Sequence, residues 1–187
     1  MATHPARFTP TAIVLHWIAA ILILCNLPLG LYMVDLPLSP AKLKYFSWHK
    51  WVGVTVFLLS AARILWRLGH PAPELPDSMR PWERRAAKAS HILLYVLFFA
   101  VPISGWLSSS ALGFQTVYLG LVPIPDLLEK NKELADVLKI VHRSLNYTMA
   151  AIIAGHIAAA IKHHVLDRDD VLTRMLPFLK MPARNPP

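Results

Sequence analysis

Four long apolar runs, separated by polar stretches rich in proline and charge, organise the 187 residues. They reach from about Pro10 to Val34, from Trp48 to Leu68, from Ala89 to Ser110 and from Ile140 to Val165. Each is long enough for an α-helix to cross a hydrocarbon layer of roughly 30 Å. The pattern predicts an all-α integral membrane protein, a four-helix bundle running up, down, up and down, with residues 1–187 forming a single domain. Pro28 and Gly30 are expected to bend or end the first helix early, and Pro102 and Gly105 to kink the third. Between the runs, Asp35–Ser47 reads as a polar loop and HPAPELPDSMRPWERRAAK as a charged connection. The stretch with Gly113, Gly120, Pro123 and Pro125 reads as irregular. Asp126–Lys139 reads as a separate short amphipathic helix at the surface. The charged tail, 169–187, ends in MPARNPP, which is expected to be disordered.

Composition supports the membrane reading. The chain is 55% hydrophobic and 16% charged, against about 25% charged in soluble domains. A net charge of +8 could suit nucleic acid, but the basic residues lie between apolar runs, where membrane topology accounts for them. Arg7, Arg63, Arg67, Arg80, Arg84, Arg85, Lys88, Lys162, Arg168, Arg174, Lys180 and Arg184 fall on one side, twelve in all. Lys42, Lys44, Lys50, Lys130, Lys132, Lys139 and Arg143 make seven on the other. The excess places both termini in the cytoplasm. The first run has no obvious small-residue cleavage site and is expected to be kept as a helix. The one cysteine, Cys25, allows no intrachain disulfide and reads as a small, buried apolar residue. There is no C-x-x-C-H motif, so any haem is held without a covalent link.

The histidines carry the chemistry. His142 and His156 lie fourteen residues apart in the fourth run, close to four helical turns, so they share a face about 21 Å apart along the axis. His16 sits one turn inside the first run and His49 opens the second. With alternating helices, His16 matches His156 in depth, and His49 matches His142. Ionisable groups at membrane depth are costly and mark function, and paired histidines from facing helices are a means of holding haem iron. The two depth-matched pairs, His16 with His156 and His49 with His142, read as a scaffold for two stacked haems, the alternative for each histidine being a hydrogen-bonded helix contact or an interface position. Small residues such as Gly53, Gly155, Ala159 and Ala160 leave gaps beside these ligands. Arg63 lies fourteen residues after His49, where it either pairs with a haem propionate or snorkels to the headgroups. His91, opening the third run, is a further iron ligand, a quinone contact or a group supporting a ligand. His163, seven residues after His156, lies at the inner interface, where a quinone headgroup could accept its hydrogen bond. His164 is expected to be solvated, and His4 and His70 to lie at the surface.

The chain resembles the bacterial cytochrome b561 family over nearly its whole length. The resemblance rests on IVLHW around His16, WHKWVGV around His49, RILWRLGHPAP, SHILLYVLFFAVPISG, VHRSLNY and GHIAAAIKHHVLDRDDVLTRMLP. It implies an inner-membrane protein with two haem b, the inner on His16 and His156 and the outer on His49 and His142, exchanging electrons with ubiquinone. In its superoxide-oxidising members the donor is periplasmic superoxide and quinone is reduced near the cytoplasmic side, with His163 a candidate quinone contact. Lys50 and Arg143, each directly after an outer ligand, are candidates for steering a small anion, or are ordinary headgroup-facing charges. The Gly- and aromatic-rich loop from Phe114 to Leu121 could cap the outer haem. Ser108–Ser110 has no assigned role. Two other readings compete. One is a haem-bearing anchor serving a partner dehydrogenase. The other is a non-redox metal transporter, disfavoured because the membrane runs lack carboxylates and carry cations.

Overall fold

A computed structural model of the chain describes residues 7–76 and 78–179. The expectations for His4 and for MPARNPP lie outside the described residues. Four helices dominate: α1 (Pro10–Asp35), α2 (Pro40–Gly69), α3 (Pro81–Ala111) and α4 (Lys132–Lys162), the last running into a π-helical turn, His163–Asp167. All four are long and apolar enough to cross a membrane.

Their starts are written in capping chemistry. Thr9 accepts from the Ala12 amide at 3.3 Å and Ser39 from the Lys42 amide at 3.2 Å, each with proline at the first helical position. The Glu83 carboxylate accepts from the Arg80 amide at 3.0 Å ahead of Pro81. Asn131 accepts from the Leu134 amide at 3.0 Å. These caps correct the boundaries read from hydropathy. α2 begins at Pro40 rather than Trp48, and α3 at Pro81 rather than near Ala89. Asp126–Lys139 is no separate surface helix, because from Lys132 onward it is the start of α4. Hydropathy marks only the part of a helix inside hydrocarbon, whereas the hydrogen-bonded spiral continues to the next cap. Pro28 and Pro102 lie within α1 and α3, and neither ends its helix. Neither do Gly30 and Gly105.

Helix α3 packs most closely on α4, α1 on α2, and α2 on α3. Ala111 and Ala135 are fully buried where α3 ends and α4 begins, and the Asn131 amide donates to the Ala111 carbonyl at 2.9 Å. Such small residues let two helices approach in a bilayer. α4 makes no comparable backbone contact with α1 or α2. The buried cluster comprises Ile23, Val56, Leu94, Leu97, Phe98, Val101 and Met149. Outward, Val14, Ile18, Ile21, Ile92, Val96 and Ile103 are exposed, a surface suited to lipid and not to water, and Cys25, expected to be buried, is exposed as well. The chain is a multi-pass membrane protein.

Between α3 and α4 the stretch read as irregular forms a hairpin, β1 (Thr116–Tyr118) with β2 (Val122–Ile124), paired antiparallel from Thr116↔Ile124 to Tyr118↔Val122. Leu119 and Gly120 turn it with φ of 53° and 73°. At the opposite end of the bundle the Trp66 indole donates to Thr9 Oγ1 at 2.9 Å, and Lys162 binds Glu83 at 2.6 Å. The described part of the tail folds back: the Trp17 indole donates to the Met175 carbonyl at 2.8 Å, and Arg174 donates to the Glu74 carbonyl.

Thr9 both caps α1 and receives the Trp66 indole. Thr9→Ala is expected to destabilise the bundle by about 1–2 kcal/mol, read as a lower thermal unfolding midpoint in detergent. An unchanged midpoint would contradict this double role.

Candidate functional site

Each helix presents one residue at each of three levels, stepped by seven along its sequence: His16, Ile23 and Gly30 on α1; His49, Val56 and Arg63 on α2. α3 presents His91, Phe98 and Gly105; α4 presents His142, Met149 and His156. Seven residues are almost two turns, about 10.5 Å, so each trio lies on one face. The four middle residues all belong to the buried apolar cluster. The levels on either side carry the histidines.

At the hairpin level, His49 and His142 lie with ring centroids 6.2 Å apart and planes at 87°. At the level nearer the termini, His16 and His156 are 6.4 Å apart at 61°. Two imidazole nitrogens on opposite sides of one metal, each about 2 Å from it, place the ring centres roughly 6 Å apart. Both separations fit a shared iron. Both pairs also reach across the side of α4 where the backbones of α1 and α2 stand off.

The ring of His142 is held in one orientation. Its Nδ1 lies 3.0 Å from the Val101 carbonyl and 3.0 Å from Ser104 Oγ. A carbonyl only accepts, so Nδ1 carries the proton and Nε2 keeps its lone pair for a metal. His49 Nδ1 is buried without a hydrogen-bond partner. Its backbone carbonyl receives the Asn26 amide at 3.3 Å. A Cβ at Gly30 would stand 2.9 Å from His49 Cε1, and one at Gly105 2.9 Å from His142 Cε1. Only glycine leaves both rings their room.

The other level is more polar. Arg63 turns inward: its guanidinium lies 3.3 Å from His16 Nδ1 and 5.5 Å from the Tyr95 ring centre. This places it inside the bundle rather than snorkelling to headgroups. His91 stands with its ring 5.4 Å from that of His156, so three imidazoles and one guanidinium share this level. His163 lies apart, buried in the π-helical turn, with Nδ1 2.7 Å from Asp169 and 3.0 Å from Asp167. His164, expected to be solvated, is half-buried with Nδ1 unpartnered.

At the hairpin end, Lys50 donates to the Phe114 carbonyl at 3.0 Å, and Lys42 to the Val34 and Leu36 carbonyls at 3.0 and 2.6 Å. Lys44 lies over Trp48, and Arg143 is exposed. Carbonyls hold the two lysines in place without neutralising them. The Trp51 indole donates to the Val117 carbonyl at 2.7 Å, and Thr55 and Tyr118 share a hydrogen bond of 2.9 Å. The hairpin thus sits on the α2 turns next to His49. Ser109 donates to the Phe114 carbonyl at 2.5 Å and Ser110 accepts from the Leu127 amide at 3.4 Å, so the serine run anchors both ends of this segment.

The structure brings the four histidines and Arg63 together as the sequence reading expected, and sets beside them Gly30, Gly105, Ser104 and Tyr95, which that reading did not single out as their neighbours. A signal for the glycines was present. Each lies fourteen residues after a histidine of its own helix, the spacing already used for His142 and His156.

A membrane bundle that brings imidazoles together at two depths is built to hold haem, and comparison with known proteins agrees. The sequence profile of prokaryotic cytochrome b561 matches residues 7–178, and the chain belongs to this family of membrane electron-transfer cytochromes, whose cofactor is haem b. It is 34% identical to cytochrome b561 homolog 2 of Escherichia coli K12, over 92% of each chain. It is 28% identical to cytochrome b561 homolog 1 of the same organism, over 93% of this chain and 99% of that one. It is 29% identical to the probable superoxide oxidase CybB of Yersinia pestis, over 91% of this chain and 96% of the relative.

Trp51→Phe with Lys50→Ala removes two hydrogen bonds holding the hairpin, worth about 1 kcal/mol each. Limited proteolysis is expected to cut residues 112–127 several times faster in this variant while the helices stay protected. Equal cutting rates would show that other contacts hold the cap.

Proposed function

We infer that this protein is a dihaem membrane oxidoreductase that takes electrons from a donor at the hairpin end and delivers them to ubiquinone at the end carrying the termini. The observation that carries this reading is the pair of imidazole pairs stacked along α4, at 6.2 and 6.4 Å. His49 and His142 hold one haem b, His16 and His156 the other. Haem b, when bound, supplies reversible one-electron transfer. The chain's own residues do the rest. Val101 and Ser104 orient His142, and Arg63 answers a propionate with a charge-assisted bond. The apolar middle level keeps water from between the two sites.

The excess of basic residues at the termini end supports a cytoplasmic position for it and a periplasmic one for the hairpin. Superoxide is the donor best supported. One relative is named a probable superoxide oxidase, and Lys50, held at the mouth, together with exposed Arg143, offers positive charge that draws in a small anion. Two superoxide ions each give up one electron and leave as dioxygen; one quinone takes up both electrons and two protons. His91 and His163 are the candidates for its headgroup. His91 lies against His156, while His163 has its Nδ1 engaged by carboxylates, leaving Nε2 for a ligand.

Purified protein is expected to contain two haem b per chain, reduced by superoxide and reoxidised by a ubiquinone analogue, in reduced-minus-oxidised spectra with haem quantitation. Reduction only by dithionite or a partner protein would keep the ligands and reject superoxide as donor. His142→Ala is expected to leave one haem per chain and to reduce superoxide oxidation at least 100-fold. Two haems in that variant would refute the pairing.

A further inference from the structure

We propose that Gly30 and Gly105 are positioning residues that fix the ring planes of His49 and His142, holding these imidazoles near perpendicular at the hairpin-level haem. This rests on the assignment of those two histidines as haem ligands. The two glycines flank the pair from α1 and α3, the helices that supply no ligand at this level. In each case the nearest atom to an added Cβ is the imidazole Cε1, at 2.9 Å, with Nδ1 next at 3.4 Å for His49 and 3.3 Å for His142. The contact is therefore with the ring's edge, and a methyl group there must turn the ring or part the helices.

The two rings are not free to respond alike. His142 is tied through Nδ1 to the Val101 carbonyl and Ser104 hydroxyl, on the same turn of α3 that carries Gly105. Turning it away from Gly105 loses those bonds. His49 has no such tether, its Nδ1 being buried and unpartnered, so its plane depends on the space beside Gly30. The resulting angle is 87°, against 61° for His16 and His156. At the second level the corresponding positions on the helices without a ligand are Arg63 and His91, large side chains that lie against His16 and His156 rather than stand aside. An absent side chain leaves room for the rings only at the hairpin level.

The angle between two axial imidazoles sets the splitting of the iron d orbitals. Near-perpendicular planes give a more anisotropic low-spin ferric signal than planes closer to parallel. Electron paramagnetic resonance of the oxidised holoprotein is therefore expected to show two low-spin signals. The more anisotropic one should be the signal missing from His142→Ala. In Gly30→Ala and Gly105→Ala that signal is expected to shift, or to be lost selectively, while the other stays in place. Gly69→Ala, where an added Cβ meets nothing within 4 Å, should leave both unchanged. The proposal is overturned if both variants keep the wild-type signals, or if the wild type shows the same signal from both haems. If neither variant accumulates, a single wild-type signal shared by both haems still overturns it. Haem quantitation keeps the two levels of argument apart: a wild type without haem would defeat the ligand assignment itself, whereas intact haems with unmoved signals defeat only the role of the glycines.

Discussion

Register between helices is the constraint on which everything else depends. Four helices must bring one residue each to the same depth, three times over, and a step of seven does this on every helix. Seven residues fall about 20° short of two whole turns, a deficit that a gentle left-handed wrap absorbs. A shift of one residue in any helix would rotate its face by about 100° and take its histidine out of reach of the partner ring. The caps at Thr9, Ser39, Arg80 and Asn131 are where that register is locked, because they decide which residue begins each spiral. The ties at the bundle's two ends, Trp66 to Thr9, Lys162 to Glu83 and the Asn131 amide to Ala111, fix one helix against the next.

Within that frame α4 packs its backbone most closely on α3 and reaches α1 and α2 through side chains, Met149 in the buried apolar cluster and His142 and His156 on either side of it. The outward faces of the helices carry exposed apolar side chains, a surface suited to lipid, and on the proposed function the space between the facing imidazoles is where haem would be held.

Much of this was legible in the sequence. Four membrane helices, their alternation and the depth-matched histidine pairs all follow from run lengths and residue spacing, because the bilayer imposes one length and the helix one pitch. The helix ends were less legible. The first turns of α2, α3 and α4 are polar and lie outside the apolar runs, so hydropathy stopped short where Ser39, Glu83 and Asn131 spoke more clearly. The hairpin was missed because its strands are three residues long and its apolar pattern does not alternate cleanly. Gly30 and Gly105 were read beside their prolines as places where a helix bends, and only three-dimensional contact shows that an absent side chain is itself a feature. The inward turn of Arg63 likewise depends on His16 and Tyr95, distant in sequence and side by side in space.

The middle level has its own consequence. Ile23, Val56, Phe98 and Met149 form a layer with no group able to carry a proton, between two levels rich in imidazole. A charge that crosses this layer as an electron crosses alone. Any protons needed to complete a reduction at the termini end must then be drawn from that end's own aqueous phase, and not from the other. On the proposed function, turnover would separate charge across the bilayer, and the membrane voltage itself would become a force on its rate.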